Sequence, residues 1–113
     1  MIDEIRQKLG NDYNYIVADC QSIPFKNNYF DTIVANHMLF YLKDLKQGLT
    51  EITRVLKNNG TFYCTTYSKY HMQEISELAQ NFDSRISLSD DPLPERFGLE
   101  NGKDILKSYF NYV

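Results

Sequence analysis

Tryptophan is absent from this chain, and cysteine, proline and glycine are few: two, three and five residues respectively. The two cysteines share no CxxC spacing, which argues against a disulfide scaffold. His37 and His71 have no ligand spacing with each other or with the cysteines, which argues against a metal centre. The few glycines form no GxGxxG strand–turn–helix unit, so a dinucleotide-binding oxidoreductase is disfavoured. No apolar run approaches the roughly 20 residues needed to span a bilayer. Met1 to Arg6 lacks a basic stretch leading into an apolar one, so no secretory signal is visible and the cytoplasm is the default expectation. Twelve Lys and Arg against fifteen Asp and Glu give a net charge of −3. That charge exerts no pull on nucleic acid or an anionic membrane, and neither is expected as a partner.

What is present is an ordinary globular composition, 42% hydrophobic and 24% charged, over 113 residues. This length supports one domain at most. Nine Tyr and seven Phe fall within strand-like or helical runs and are expected to pack cores and rims. Cys20 and Cys64 end or interrupt apolar runs and read as buried free thiols.

Periodicity orders the chain. Ile2, Ile5 and Leu9 predict a short helix stopped at Gly10. Tyr13 to Asp19 is apolar without alternation at its centre and predicts a strand buried on both faces. Gln21 to Tyr29 is a connection, and Phe30 to Asn36 a second strand. Asp44 is placed to cap a helix from Leu45 to Lys57, with Leu45, Leu49, Ile52, Val55 and Leu56 on one face. Asn58-Asn59-Gly60 supplies a stop that tolerates left-handed backbone angles. Thr61 to Tyr67 is β-branched or aromatic almost throughout and predicts a strand. Ser68 could cap a helix with Met72, Ile75, Leu78, Ala79 and Phe82 on one face. Ser84 to Gly98 reads as a loop or insertion, Asn101 as the cap of a last helix, and Phe110 to Val113 as the start of another strand. Strands alternating with helices predict an α/β sheet.

In such a sheet, ligands bind outside the carboxyl ends of the strands. The residues there are Asp19-Cys20, Asn36-His37-Met38 and Thr66-Tyr67. Three elements then resemble one family. Asp19-Cys20 with Ile23-Pro24-Phe25 resembles the "D-A-x-x-L-P-F" element of class I S-adenosylmethionine-dependent methyltransferases. Phe30-Asp31-Thr32-Ile33-Val34 resembles their "F-D-x-V" strand. Leu49, Glu51 and Arg54-Val55-Leu56-Lys57 with Gly60 resemble "L-x-E-x-x-R-V-L-K-P-G-G". Order and spacing agree over about half the chain, and Phe97 to Gly102 adds a less specific match.

The resemblance implies a partial Rossmann-like methyltransferase sheet with flanking helices, the C-terminal part of a catalytic domain over residues 1–113. It implies S-adenosyl-L-methionine as cofactor and a small-molecule methyl acceptor. Asp19 matches the family's acceptor for the adenine amino group, a role that suits an acceptor-only carboxylate. The Cys20 backbone N–H would face the adenine ring. Asn36, His37 and Met38 match the segment lining the methionine end of the cofactor. His37 is the candidate proton acceptor, because its unperturbed titration range is near neutrality. Tyr41 and Tyr67 are the candidate substrate contacts.

The family's Gly-rich loop and its ribose-holding acidic residue have no counterpart in the sequence. Two readings follow: methyl transfer by a parent protein, or a truncated, non-catalytic domain acting in assembly or binding. Two family strands would lie between Tyr15–Asp19 and Phe30–Asn36. Their loss predicts exposed strand edges, and either a homodimer through those edges or pairing unlike the family's.

Overall fold

A computed structural model describes residues 1–87 and 93–113. Helix α1 spans Ile2–Leu9, strand β1 Phe30–Asn36, helix α2 Leu45–Val55 and strand β2 Leu56–Thr65. Helices α3 (Gln73–Phe82), α4 (Leu93–Arg96) and α5 (Gly102–Lys107) follow. A short 3-10 turn, Leu39–Tyr41, follows the end of β1. The sheet is parallel and two-stranded, with Ile33 opposite Phe62, Ala35 opposite Cys64 and Asn36 opposite Thr65. This is a partial Rossmann-like α/β arrangement. Among the described residues no helix is long and apolar enough to cross a membrane.

The crossover between the strands is α2, and its start follows the sequence. Asp44 accepts a hydrogen bond from the Gln47 backbone N–H at 2.9 Å, satisfying one of the orphan donors of the first turn. Leu49, Ile52 and Val55 are fully buried, and Leu49 and Ile52 share a cluster with Ala35, Leu39, Phe40 and Phe97. Burying one such aliphatic side chain stabilises by about 1.5–3 kcal/mol.

The end of α2 differs from expectation. The helix stops at Val55, and Leu56 is already extended at the head of β2. The cause lies in the preceding connection. Backbone N–H groups of Asn28 and Tyr29 donate to the carbonyls of Arg54 and Val55 at 2.9 and 2.8 Å, taking two of the helix's last acceptors. Lys57 to Gly60 then forms an irregularity: Phe30 faces Leu56, while Thr32 faces Thr61. Gly60 does not adopt a left-handed angle there. A Cβ on it would meet the Leu56 side chain at 2.7 Å and the Asp31 carbonyl oxygen at 2.9 Å, so glycine is required by close approach.

The expected strand over Tyr13–Asp19 is not formed; Asp19 makes only an isolated bridge to Ser22. Val17 is 86% exposed. A parallel strand needs a neighbour to take its backbone groups, and no strand lies beside this one among the described residues. Phe110 to Val113 likewise forms no strand, although Phe110 stacks on Phe62 with centroids 5.3 Å apart. Ser68 does not cap α3, which begins at Gln73 after Met72 in a left-handed conformation. No residue of α3 is buried, so its apolar face lies open. Pro92, within the expected Ser84–Gly98 loop, lies outside the described residues. The end of that loop holds α4 and places Phe97 in the core.

Candidate functional site

The carboxyl ends of β1 and β2 stand side by side at Asn36 and Thr65. The Thr65 hydroxyl donates to Asn36 Oδ1 at 2.5 Å and accepts the His37 backbone N–H at 2.9 Å. His37 is held at φ 48°, a left-handed angle uncommon for a residue with a side chain. Backbone strain of this kind concentrates at functional sites. Met38 is half-buried against the core and Leu39 is fully buried, so the side chains after the strand turn inward, apart from His37.

Asp19 and Cys20 sit in a tight turn secured to the head of α2. Asp19 Oδ1 accepts the Gln21 backbone N–H at 2.8 Å, and the Gln21 amide reaches both carboxylate oxygens at 3.4 Å. Gln21 Oε1 in turn accepts the Asp44 N–H at 2.6 Å. Asp19 is exposed, and only the long Gln21 contact engages Oδ2, which leaves that oxygen with acceptor capacity. Cys20 is a half-buried free thiol, and burial, with Asp19 and Glu51 adding to it, pushes its pKa up. A raised thiol is a poor nucleophile, so any role for Cys20 falls to its backbone. Cys64 is half-buried too, and burial raises its thiol as well.

Glu51 and Arg54 explain why the connection from Ile23 to Asn27 stays on α2. Glu51 accepts the Ile23 N–H at 2.9 Å and forms a bidentate pair with Arg54, at 2.7 and 2.8 Å. Arg54 donates onward to the Ile23 and Phe25 carbonyls and to Asn27 Oδ1. The Arg54 and Ile23 hydrogen bonds hold the Glu51 carboxyl at about 2. Sequence reasoning matched these two residues to a motif; their clamping of a loop became visible only with the loop's carbonyls in place.

The third strand-end group is an aromatic column. Tyr67 stacks on His37 with centroids 4.5 Å apart and planes at 21°, and on His71 at 4.7 Å and 24°. Phe40 lies 5.5 Å from Tyr67 on the core side. Phe97 to Asn101 holds this corner: the Thr66 hydroxyl donates to the Phe97 carbonyl at 2.6 Å, and the Leu99 N–H to the Tyr67 carbonyl at 3.1 Å. Glu100 accepts the Ser68 hydroxyl at 2.5 Å and the Lys69 N–H at 3.1 Å. Asn101 is spent on this segment rather than as a side-chain cap, with Oδ1 accepting the Gly98 N–H at 2.8 Å. Tyr41 stands apart from the column, 64% exposed and tilted on Phe40. Sequence reasoning missed His71, because only the turn after β2 brings it to Tyr67.

Two concavities among the described residues lie elsewhere. One, of about 600 Å³, runs along α3 past Leu78 and Phe82; the other, of about 820 Å³, lies between β2 and the C-terminal segment.

Residues 1–64 match the family model described as a methyltransferase domain. The chain is 30% identical over 86 residues to the ubiquinone/menaquinone biosynthesis C-methyltransferase UbiE of Vibrio cholerae, covering 74% of this chain and 33% of that protein. It is 33% identical over 66 residues to the malonyl-[acyl-carrier protein] O-methyltransferase of Chlorobium luteolum, covering 58% of this chain and 25% of that one. The chain thus spans a third or less of the length of these curated relatives. Among solved structures it resembles a methyltransferase in complex with the Haloferax volcanii Trm112 methyltransferase activator, with TM-score 0.58 and 21% identity over 99% of this chain and 63% of that one. With a family model covering more than half of its residues, and with a sheet and crossover of the corresponding fold, the chain belongs to the methyltransferase domain family, in its class I form.

Proposed function

We propose that residues 1–113 are the C-terminal part of a catalytic domain that transfers a methyl group from S-adenosylmethionine to a small molecule. The cofactor supplies an electrophilic methyl on a sulfonium. The residues here fit one wall of its site. Asp19 Oδ2 retains acceptor capacity for an exocyclic amine. The Cys20 N–H would meet the adenine ring, and the Asn36 carbonyl, His37 and Met38 would line the methionine end. His37 is the candidate to accept a proton where the acceptor must lose one. Tyr67 and Tyr41 are the candidate acceptor contacts. The relatives named above include a C- and an O-methyltransferase, so kinship leaves the acceptor atom open.

The observation that carries this reading is the anchoring of the Asp19 turn through Gln21 to the head of α2, with Cys20 and Met38 packed against the same core. Titration calorimetry with S-adenosylhomocysteine, the demethylated product, tests it. We expect heat at millimolar ligand, and an affinity about tenfold or more weaker in Asp19→Ala, as for loss of a hydrogen bond to a charged group. No heat at that concentration removes the cofactor role from this polypeptide.

One observation favours a second reading, a non-catalytic assembly or binding module. The chain exposes 8830 Å², against roughly 6,500 Å² for a compact monomer of its mass. The fold neighbour was solved bound to an activator protein, and so open a surface suits a protein partner.

A further inference from the structure

We propose that the His37–Tyr67–His71 column is the acceptor wall of the site and that it takes a planar aromatic acceptor, stacked on the exposed His71 ring at its end. This inference rests on the methyl-transfer reading and adds an acceptor class and a specificity residue to it.

Position comes first. The column rises from the carboxyl ends of both strands, where ligands of an open parallel sheet bind. Its construction comes next. Three rings from two chain segments, His37 after β1 and Tyr67 and His71 from the turn after β2, lie nearly parallel, at 21° and 24°. Edge-to-face packing is the common alternative, and a stack of near-parallel planes presents a flat terminal face. Each ring is fixed from its own backbone. The Thr65 hydroxyl holds the left-handed His37 N–H, the Leu99 N–H holds the Tyr67 carbonyl, and the His71 N–H donates to the Ser68 carbonyl at 3.0 Å. Glu100 fastens Ser68 in turn. A preorganised stack loses little freedom when a further ring joins it.

Exposure is the third argument. Tyr67 is sandwiched yet still 36% exposed, and both imidazoles are exposed, so the column is not core packing. Tyr67 also separates the imidazoles, which cannot close on one metal ion. What the column offers a ligand is a π-face flanked by imidazole nitrogens. That suits a flat ring bearing a hydroxyl, and gives a saturated ring of the same size no stacking partner.

The two histidines of the chain are its only imidazoles, so an aromatic ¹H–¹³C spectrum reports the column without mutation. Titration with 1-naphthol and with its saturated counterpart, decahydro-1-naphthol, is the test. Naphthol is expected to move the His71 ring resonances upfield, with the saturated alcohol several-fold weaker. His71→Ala should weaken naphthol binding about two- to tenfold, while His71→Phe, which keeps a ring, retains it. Absence of shifts at millimolar naphthol, equal shifts with both alcohols, or an unchanged affinity in His71→Ala overturns the proposal. Calorimetry with S-adenosylhomocysteine reads the other reading separately. Cofactor binding without naphthol binding removes the column alone, and the reverse leaves an aromatic site with no methyl donor.

Discussion

Glu51 joins the helix to the loop beside it. Its side chain is 13% exposed and accepts from Arg54 twice and from the Ile23 N–H. The carboxyl is held at about 2, below its ordinary 4.5, first by Arg54 and then by Ile23. A carboxyl with a depressed folded value adds stability above its unfolded value, and this is lost as pH falls from 4.5 toward about 2. Glu51→Gln should therefore destabilise by about 1.5–3 kcal/mol at neutral pH and flatten the acid limb of a urea-stability profile over that window. An acid limb unchanged by the substitution would separate Glu51 from the clamp. The same residues show what sequence could and could not tell. Glu51 and Arg54 were legible as a motif three residues apart on one helix. Their partners, the Ile23 and Phe25 carbonyls, lie about thirty residues away in sequence and have no signature there.

Among elements, those with a local cause were legible. The spacing of Leu49, Ile52 and Val55, with Asp44 before them, predicted α2 and its buried face correctly. The strand β1 followed from its apolar centre. The β2 boundary was not legible, because the helix ends where Asn28 and Tyr29 take its carbonyls, and those donors come from another segment. Helix α3 shows the opposite failure. Its periodicity was read correctly, but Leu78 and Phe82 stay 70% and 89% exposed because no element packs opposite them among the described residues. The double substitution Leu78→Lys and Phe82→Lys should therefore shift urea-unfolding free energy by no more than about 0.5 kcal/mol per site. A loss near that of a core deletion would show that something covers this face in solution.

At the scale of the whole molecule, the radius of gyration is 17.4 Å, against about 13 Å for a compact domain of this length. One face of the sheet is open, with Val34 65% and Tyr63 59% exposed, although parallel sheets are ordinarily covered on both faces. The surface in excess of a compact monomer, roughly 2,300 Å², is on the scale of a stable interface. We propose a second copy of the chain as its occupant, pairing through the outer edge of β1. Sedimentation velocity over a wide concentration range is expected to show a monomer–dimer equilibrium, and Val34→Lys, a charge on that strand, should shift it toward monomer. A monomer throughout, with the sheet intact by circular dichroism, would refute the pairing.

The sequence by itself determined the family, the crossover helix, β1, the C-terminal half of β2 and the polar residues at the carboxyl ends of both, because each has a cause within a few residues. Tertiary structure decided the rest. Tyr13 to Asp19 had the composition of a strand and has no partner strand among the described residues, since backbone pairing is a property of two segments and not of one. His71 entered the candidate site, and Phe97 entered the core, through a turn whose geometry depends on Glu100, Asn101 and the end of β2 together. Contacts that join distant segments depend on where the backbone travels, and no local pattern encodes that path.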